Sequence, residues 1–205
     1  LLRSPRMTFR VCSVIGFLAF SLCFAIACGG RSAPSTSPSV IDPLALYPLN
    51  EGNAWSYDVD TGEPPTTLAI TRVESFDGRV AEVRTASAVV RYEVRPEGIY
   101  VPVDDAWLVR GPLREGATWP GRGGRTAELV SMHAIVETAA GRFDGCVEVL
   151  ELGGKLELEV RTVYCPGIGP VAVASTMRSN VSERALTVSA RLRGFTVNPR
   201  TASDR

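Results

Sequence analysis

The stretch Trp55-Ser56-Tyr57-Asp58-Val59 places an aromatic or aliphatic side chain at every second position, with polar residues between them. Because successive side chains of a strand point to opposite faces of a sheet, this alternation predicts one face on a core and one in water. The same period returns in residues 90–95, 156–161 and 186–193. Such alternation is typical of antiparallel sheet rather than of buried parallel sheet.

Glycine-containing turn signals separate these runs, for example Asp77-Gly78, Gly153-Gly154 and Pro166-Gly167. No stretch after residue 45 keeps a helical period over several turns. We therefore predict a single all-β, antiparallel domain over residues 47–198, built as a curved open sheet, a half-barrel or a sandwich.

The chain also resembles itself. The motif Pro-Leu-Asn-Glu-Gly-Asn-Ala-Trp at residues 48–55 recurs as Pro-Leu-Arg-Glu-Gly-Ala-Thr-Trp at residues 112–119. Two further matches follow in the same order: residues 76–78 with 143–145, and residues 96–99 with 166–168. We interpret them as two similar β units, about 47–110 and 111–175. Shared turn chemistry without duplication is the alternative.

Each copy of the motif predicts a turn with glycine at an unusual backbone angle, followed by a large aromatic residue in the first strand. Trp55 and Trp119 would then be equivalent core residues. Alternatively, together with Tyr57 and Trp107, they would line a groove for an apolar ligand on the concave face of the sheet.

Three segments carry a resemblance to known proteins. They are the opening Tyr-Pro-Leu-x-x-Gly-Asn-x-Trp-x-Tyr at 47–57, residues 141–149, and the Tyr-Cys-Pro-Gly-Ile-Gly-Pro-Val run at 164–171. The chain resembles a broad group of bacterial secreted proteins and lipoproteins that share a PLxxGNxWxY opening and a late Y-x-PG-[VI]-G-x-V segment. The resemblance covers about residues 47–175. It implies an all-β domain, a curved open sheet or half-barrel, and no catalytic activity.

The first 27 residues have the features of a secretory signal, since Arg3, Arg6 and Arg10 precede an uncharged apolar run. The run ends in Ala-Ile-Ala-Cys28-Gly, which resembles a bacterial lipobox, with Ala25 where leucine is usual. We expect Cys28 to be lipidated and to anchor the chain in a membrane. An uncleaved anchor and an ordinary cleaved signal are the alternatives.

No aspartate follows Cys28, so by analogy with lipoproteins the expected location is the cell envelope, on the outer membrane and facing the periplasm or the cell surface. Residues 28–46 are predicted to be the lipidated cysteine and a flexible tether, because residues 29–43 are rich in glycine, serine and proline. Residues 199–205 are predicted to be a disordered tail.

After the signal and Cys28, two cysteines remain, Cys146 and Cys165, and an even number in an oxidising compartment favours a disulfide. The spacing raises an objection. If Gly153-Gly154 is a two-residue hairpin turn, Cys146 lies opposite Arg161, about 13 Å along the strand from Cys165. Either the hairpin has a longer loop or a bulge, or the two cysteines are not bonded.

Composition excludes several functions. The chain carries 22 basic and 22 acidic residues, so we expect no binding of nucleic acid through a basic field. His133 is the single histidine, and no cysteine–histidine or calcium-loop spacing predicts a metal site. No cofactor is expected either. Ser131 lies on the same predicted strand face as His133, but no nucleophile-elbow pattern accompanies them.

We therefore expect no enzyme and no catalytic residues. The leading hypothesis is a non-catalytic envelope lipoprotein with a binding or scaffolding role. Its N-terminal lipid would attach it to the membrane. The sequence does not identify a protein or small-molecule partner. The alternative is a periplasm-facing carrier of a lipid or small apolar ligand. A hydrolase built on Ser131 and His133, or on a carboxylate pair, is a third hypothesis.

Overall fold

The computed structural model describes residues 41–155, 157–177 and 185–198. They contain twelve strands in one antiparallel sheet and no α-helix. The strands are β1 (Ala54–Asp60), β2 (Thr67–Phe76), β3 (Val80–Thr85), β4 (Ala88–Arg95), β5 (Gly98–Val101), β6 (Ala106–Arg110), β7 (Thr118–Pro120), β8 (Arg125–Thr138), β9 (Gly141–Gly153), β10 (Leu158–Cys165), β11 (Gly169–Met177) and β12 (Leu186–Thr196). Three short 3₁₀ turns accompany them: Pro43–Leu46, Pro102–Asp104 and Arg122–Gly124.

The strand order is β6-β5-β4-β3-β2-β1-β12-β11-β10-β9-β8-β7, so β1–β6 and β7–β12 each form a six-stranded meander. The two meanders meet at the β1–β12 pair, and the sheet curls into a nearly closed, barrel-like form. At the seam, the Trp119 indole N–H donates to the backbone carbonyl of Trp107 on β6 at 3.2 Å. The predicted all-β, antiparallel fold is confirmed, and the sheet closes further than a half-barrel.

Because neighbouring strands alternate in direction, the sheet has two ends. The entry end holds the turn Pro43–Leu46 and the connections that follow even-numbered strands. The far end holds the connections that follow odd-numbered strands, including Pro102–Asp104 and Arg122–Gly124. The chain therefore enters the sheet at one end and turns back repeatedly at the other.

The predicted tether is too long at its C-terminal end. Its last residues, from Ile41, belong to the packed domain: Asp42 caps the turn Pro43–Leu46, and Leu46 is fully buried. The Gly167 N–H donates to the Ala45 carbonyl at 2.8 Å, which ties this turn to the β10–β11 connection. The apolar pattern Leu-Ala-Leu-Tyr explains the packing, since it offers core side chains that the preceding serine- and proline-rich residues lack. Residues 28–40, the signal and Cys28 lie outside the described residues, as does the tail at 199–205.

The two copies of the opening motif form the same turn. Gly52 and Gly116 have φ of +83° and +79°, a region that favours glycine. The Gly52 N–H donates to the Val73 carbonyl at 3.0 Å, and the Gly116 N–H donates to the Leu129 carbonyl at 2.8 Å. Each turn thus links the start of one meander to its second strand.

The other two sequence matches differ in how well they correspond. Residues 96–97 and 166–168 both form entry-end connections, between β4 and β5 and between β10 and β11. Residues 76–78 lie at the β2–β3 turn, whereas Phe143–Gly145 lie inside β9, because the β8–β9 hairpin continues to a turn at Thr138–Gly141. β12 completes the second meander beyond the predicted limit at 175. Duplication itself stays a prediction.

Cys146 and Cys165 form a disulfide with Cα atoms 4.3 Å apart. Of the alternatives left open by the sequence, the structure shows the longer hairpin loop and not a two-residue turn at Gly153-Gly154. Gly153 pairs with Leu158, so the connection runs over residues 154–157 and moves the register by four residues. Tyr164 consequently pairs with Val147, and the two cysteines lie directly opposite each other at the next position. The longer loop was the alternative that allowed the bond.

Candidate functional site

The four aromatic residues predicted to line a ligand groove do not form one. Trp55, Tyr57 and Trp119 are buried in the core, with exposed fractions of 1%, 6% and 4%. The Trp55 indole N–H donates to the Ile168 carbonyl at 2.7 Å, and the Tyr57 hydroxyl donates to the Pro170 carbonyl at 2.9 Å. These side chains hold the two meanders together instead of facing a ligand, which corrects the groove prediction.

Trp107, the fourth residue, is half-buried near the seam. Its ring lies 5.2 Å from that of Tyr100, and the Arg110 guanidinium lies 5.2 Å from the Trp107 ring centroid. The Arg95 guanidinium covers the Tyr100 ring at 3.5 Å and is itself held by Glu93. Because arginines already stack on both rings, this cluster is a cation–π network of the protein with itself.

The interior of the curled sheet, where the predicted groove would lie, is filled by the protein's own side chains. One buried cluster includes Trp55, Tyr57 and Tyr92, and a second includes Trp119 and Tyr164. Burial raises the pKa values of the core tyrosines Tyr47, Tyr57, Tyr92 and Tyr164 above the usual range. A hydroxyl with a raised pKa stays neutral, so these four side chains are uncharged members of the core.

A polar cluster closes part of the far end. Arg122 Nε donates to Asp104 Oδ2 at 3.0 Å, and Arg125 Nη2 donates to Glu151 Oε2 at 3.1 Å. The backbone N–H of Arg122 donates to Glu151 Oε1 at 2.9 Å. Each carboxylate is therefore compensated by a guanidinium, and the cluster joins two 3₁₀ turns to β9.

Sequence reasoning missed this cluster. Its members come from the glycine-rich run at residues 121–125, from the turn that holds Asp104 and from β9, and no motif links them. The available signal was Glu151, a charged residue at a position of β9 where Val147 and Val149 point inward. A charge on a core-facing position needs a buried partner.

The other residues considered for catalysis or metal binding do not come together in a site. His133 is exposed, and its backbone N–H donates to Ser131 Oγ at 3.1 Å, so the pair makes only a local contact within β8. Glu159 is ion-paired with Arg161, and Asp58 with Arg193. Among the described residues no group of three or more metal-ligating side chains occurs. No helix in this part of the chain is long and apolar enough to span a membrane.

An apolar surface does remain on the inward face, in a different place. Cross-strand pairing aligns Leu129, Val149, Thr162, Val173 and Ala190 in one inward-facing row, whose first two residues are buried. Two more rows lie beyond it towards the far end, about 7 Å apart. They run Ala127–Glu151–Val160–Ser175–Val188 and Arg125–Gly153–Leu158–Met177–Leu186.

We name Leu158, Val160, Met177, Leu186 and Val188 the far-end trough. Leu186 is 53% exposed and the other four are half-buried. Within the described part of the chain, none of the five belongs to, or packs against, either buried cluster. The sheet therefore extends beyond its core on β10, β11 and β12, and its inward face stays apolar there.

Comparisons with known proteins add little. No family model matches the chain, and no curated protein matches it significantly. A protein from Bacteroides fragilis, described as exported and with a YmcC-like fold, is similar in structure, with a TM-score of 0.47 and 15% identity over 73% of this chain and 98% of its own. A protein from Parabacteroides distasonis, described as a lipoprotein, gives 0.45 and 12% over 74% and 98%. At these scores neither likeness supports a functional argument.

Proposed function

We propose that the protein is a non-catalytic lipoprotein of the bacterial envelope, anchored by a lipid on Cys28. The observation that carries the proposal is the Cys146–Cys165 bond, buried in the domain. Structural disulfides persist in oxidising compartments, so this bond supports export of the domain that follows the lipobox-like sequence. The outer membrane is the proposed destination.

The way the chain enters the domain supports this anchoring. Ile41–Leu46 pack at the entry end, so the segment between Cys28 and residue 40 would connect that end to the membrane. The far end of the domain carries two ion pairs and the apolar trough. We propose this end as the part of the domain that meets other molecules.

The absence of enzymatic activity is part of the proposal. Its support is that the acidic groups brought together at the far end, Asp104 and Glu151, are each paired with an arginine. A carboxylate whose oxygens already accept hydrogen bonds from an arginine is poorly available for proton transfer to a substrate. The exposed His133 has only a backbone contact with Ser131.

The anchor is tested by growing cells on an alkyne-tagged palmitate and comparing the wild type with Cys28→Ala. We expect label and membrane fractionation for the wild type and loss of both in the variant. Mobility on a non-reducing gel serves as the control, because the Cys146–Cys165 bond should still form if the variant is exported. An unlabelled wild type, or a variant that keeps its label, would overturn the proposal.

A further inference from the structure

The outer edge of β8 is only partly covered by the rest of the sheet. β7 pairs with it over residues 126–128. The β6–β7 connection continues the cover as far as Met132, whose backbone N–H donates to Glu115 Oε1 at 2.9 Å. Beyond Met132, no backbone of the described residues pairs with this edge. We name residues 133–138 the open edge of β8.

The hairpin register determines which backbone groups face the open edge. Thr138 pairs with Gly141 across a two-residue turn, so these two residues exchange hydrogen bonds. Hydrogen-bonded and non-hydrogen-bonded pairs alternate along an antiparallel ladder, so the N–H and C=O groups of Glu137 and Ile135 point away from β9. Unpaired groups of this kind can accept another strand.

The side chains of the open edge are exposed, although the strand itself is held in place. His133, Ile135 and Glu137 are exposed and alternate with the half-buried Ala134 and Val136, which pack against the core. Ile135 is 58% exposed. The open edge has neither proline nor lysine, the residues that commonly block the pairing of edge strands. A supported strand therefore presents an apolar side chain and free backbone groups to solvent.

The open edge is complementary to a second copy of itself. If two β8 strands pair in antiparallel fashion about a two-fold axis at Ile135, this residue lies opposite Ile135 of the second copy. His133 then lies opposite Glu137, and symmetry repeats the pair. An imidazole N–H can donate to a carboxylate whether the ring is charged or neutral. Apolar and oppositely polar pairs on one face stabilise adjacent strands.

Other registers of the same two strands match less well. A shift of two residues places Ile135 opposite His133 or Glu137, and a further shift towards the hairpin turn places Glu137 opposite Glu137. Like charges directly opposite one another are destabilising. A further shift the other way requires the edge at Ser131 and Met132, where the β6–β7 connection already lies. The register about Ile135 uses only the open edge.

We propose that the protein forms a homodimer by antiparallel pairing of the open edge of β8 with the same edge of a second copy, about a two-fold axis at Ile135. This goes beyond the anchored lipoprotein role and does not depend on the lipid at Cys28. It leaves the far end free for other molecules. A single-strand interface is small, so the dimer should be weak and reversible.

Cysteine cross-linking tests the register on a secreted form that begins at residue 29. Its own two cysteines are bonded to each other, and residues 39–205 make a compact unit. Under mild oxidation, Ile135→Cys should form a covalent dimer, because facing Cα atoms lie within about 7 Å. His133→Cys should cross-link to Glu137→Cys. It should not cross-link to itself, since the two copies of position 133 would lie about 13 Å apart along the strands.

Sedimentation equilibrium measures the affinity of the same form without added cysteines. Ile135→Lys places like charges opposite each other and should raise the dimer Kd about tenfold or more. The matched control is Leu152→Lys on the outward face of β9, since Leu152 is 47% exposed; its Kd should change less than about twofold. His133→Glu should weaken the dimer about tenfold, and adding Glu137→His should restore it, because the exchanged pair is again complementary.

The opposite results contradict the proposal. A wild type that remains monomeric up to about 1 mM would exclude the dimer. Equal Kd values for Ile135→Lys and Leu152→Lys would place the interface elsewhere. Cross-linking of His133→Cys to itself as fast as to Glu137→Cys, or a double exchange that restores nothing, would overturn the register. None of these results bears on palmitate labelling at Cys28, so the two proposals fail independently.

Discussion

Gly169 lies against the indole ring of Trp55. A Cβ atom on Gly169 would be 3.0 Å from Trp55 Nε1 and 3.2 Å from Cε2. The ring cannot move aside freely, because its N–H donates to the carbonyl of the adjacent Ile168 at 2.7 Å. This contact joins β1 of the first meander to β11 of the second.

Gly169→Ala should therefore destabilise the fold by about 2–4 kcal/mol, since it adds overlap with the indole to the strain of φ at +114°. Gly78→Ala is the matched control, with φ at +92° and no atom within 4 Å of the added Cβ, and should cost only about 1 kcal/mol. Urea unfolding of both variants measures the difference. Equal losses would mean that the indole contact contributes nothing.

The Cys146–Cys165 bond closes a loop with a sequence separation of 19 residues. In the chain-entropy account, a loop of this size stabilises the fold by about 3 kcal/mol. The double variant Cys146→Ala, Cys165→Ala should lose about that much in denaturant unfolding. Reductant should lower the stability of the wild type and leave the double variant unaffected; an equal response of both proteins would contradict this account.

Stability should fall steeply above pH 10. Burial raises the pKa values of Tyr47, Tyr57, Tyr92 and Tyr164. Above pH 10 the unfolded chain loses these protons while the folded chain keeps them. The unfolding free energy is thus fully retained below pH 10 and falls as pH rises from there towards the folded-state values, by up to roughly 5 kcal/mol per pH unit for four groups.

Absorbance of phenolate and circular dichroism, followed together during an alkaline titration, check this prediction. The four buried tyrosines should ionise together with the loss of folded structure. Tyr92→Phe should make the fall in stability less steep by about a quarter. Phenolate signal from all five tyrosines of the chain before any structural change would show that the four are not buried.

Glu151→Gln should cost about 3 kcal/mol. Its carboxylate is the partner of Arg125, and the two side chains are only 12% and 14% exposed. The amide keeps an acceptor for the Arg122 N–H but leaves a buried guanidinium without a counter-charge.

The control for this variant is Glu137→Gln, in the exposed pair with Arg142, where side-chain exposure is 74% and 57%. That change should stay within about 0.5 kcal/mol. Thermal or urea unfolding at pH 7 separates the two cases. A Glu151 variant as stable as the Glu137 variant would mean that the far-end pair is not structural.

Much of the fold could be predicted from local pattern, but the candidate site could not. Alternation around Tyr57 and Val188 identified strands and their faces, and the repeated turn at Gly52 and Gly116 was visible as a motif. The far-end polar cluster joins Asp104, Arg122 and Glu151, which are far apart in the chain and carry no shared motif. Their contact depends on how far the sheet curls.

The sequence alone determined the strand-forming segments, the antiparallel class and the presence of two cysteines suited to a bond, because alternation and residue type act over a few neighbouring residues. Tertiary structure decided the β9–β10 register, which puts Cys146 opposite Cys165, and the burial of Trp55 and Trp119. It also decided that Leu158, Met177 and Leu186 extend beyond the core. These features depend on loop length and sheet closure, which couple distant residues through packing that no local period encodes.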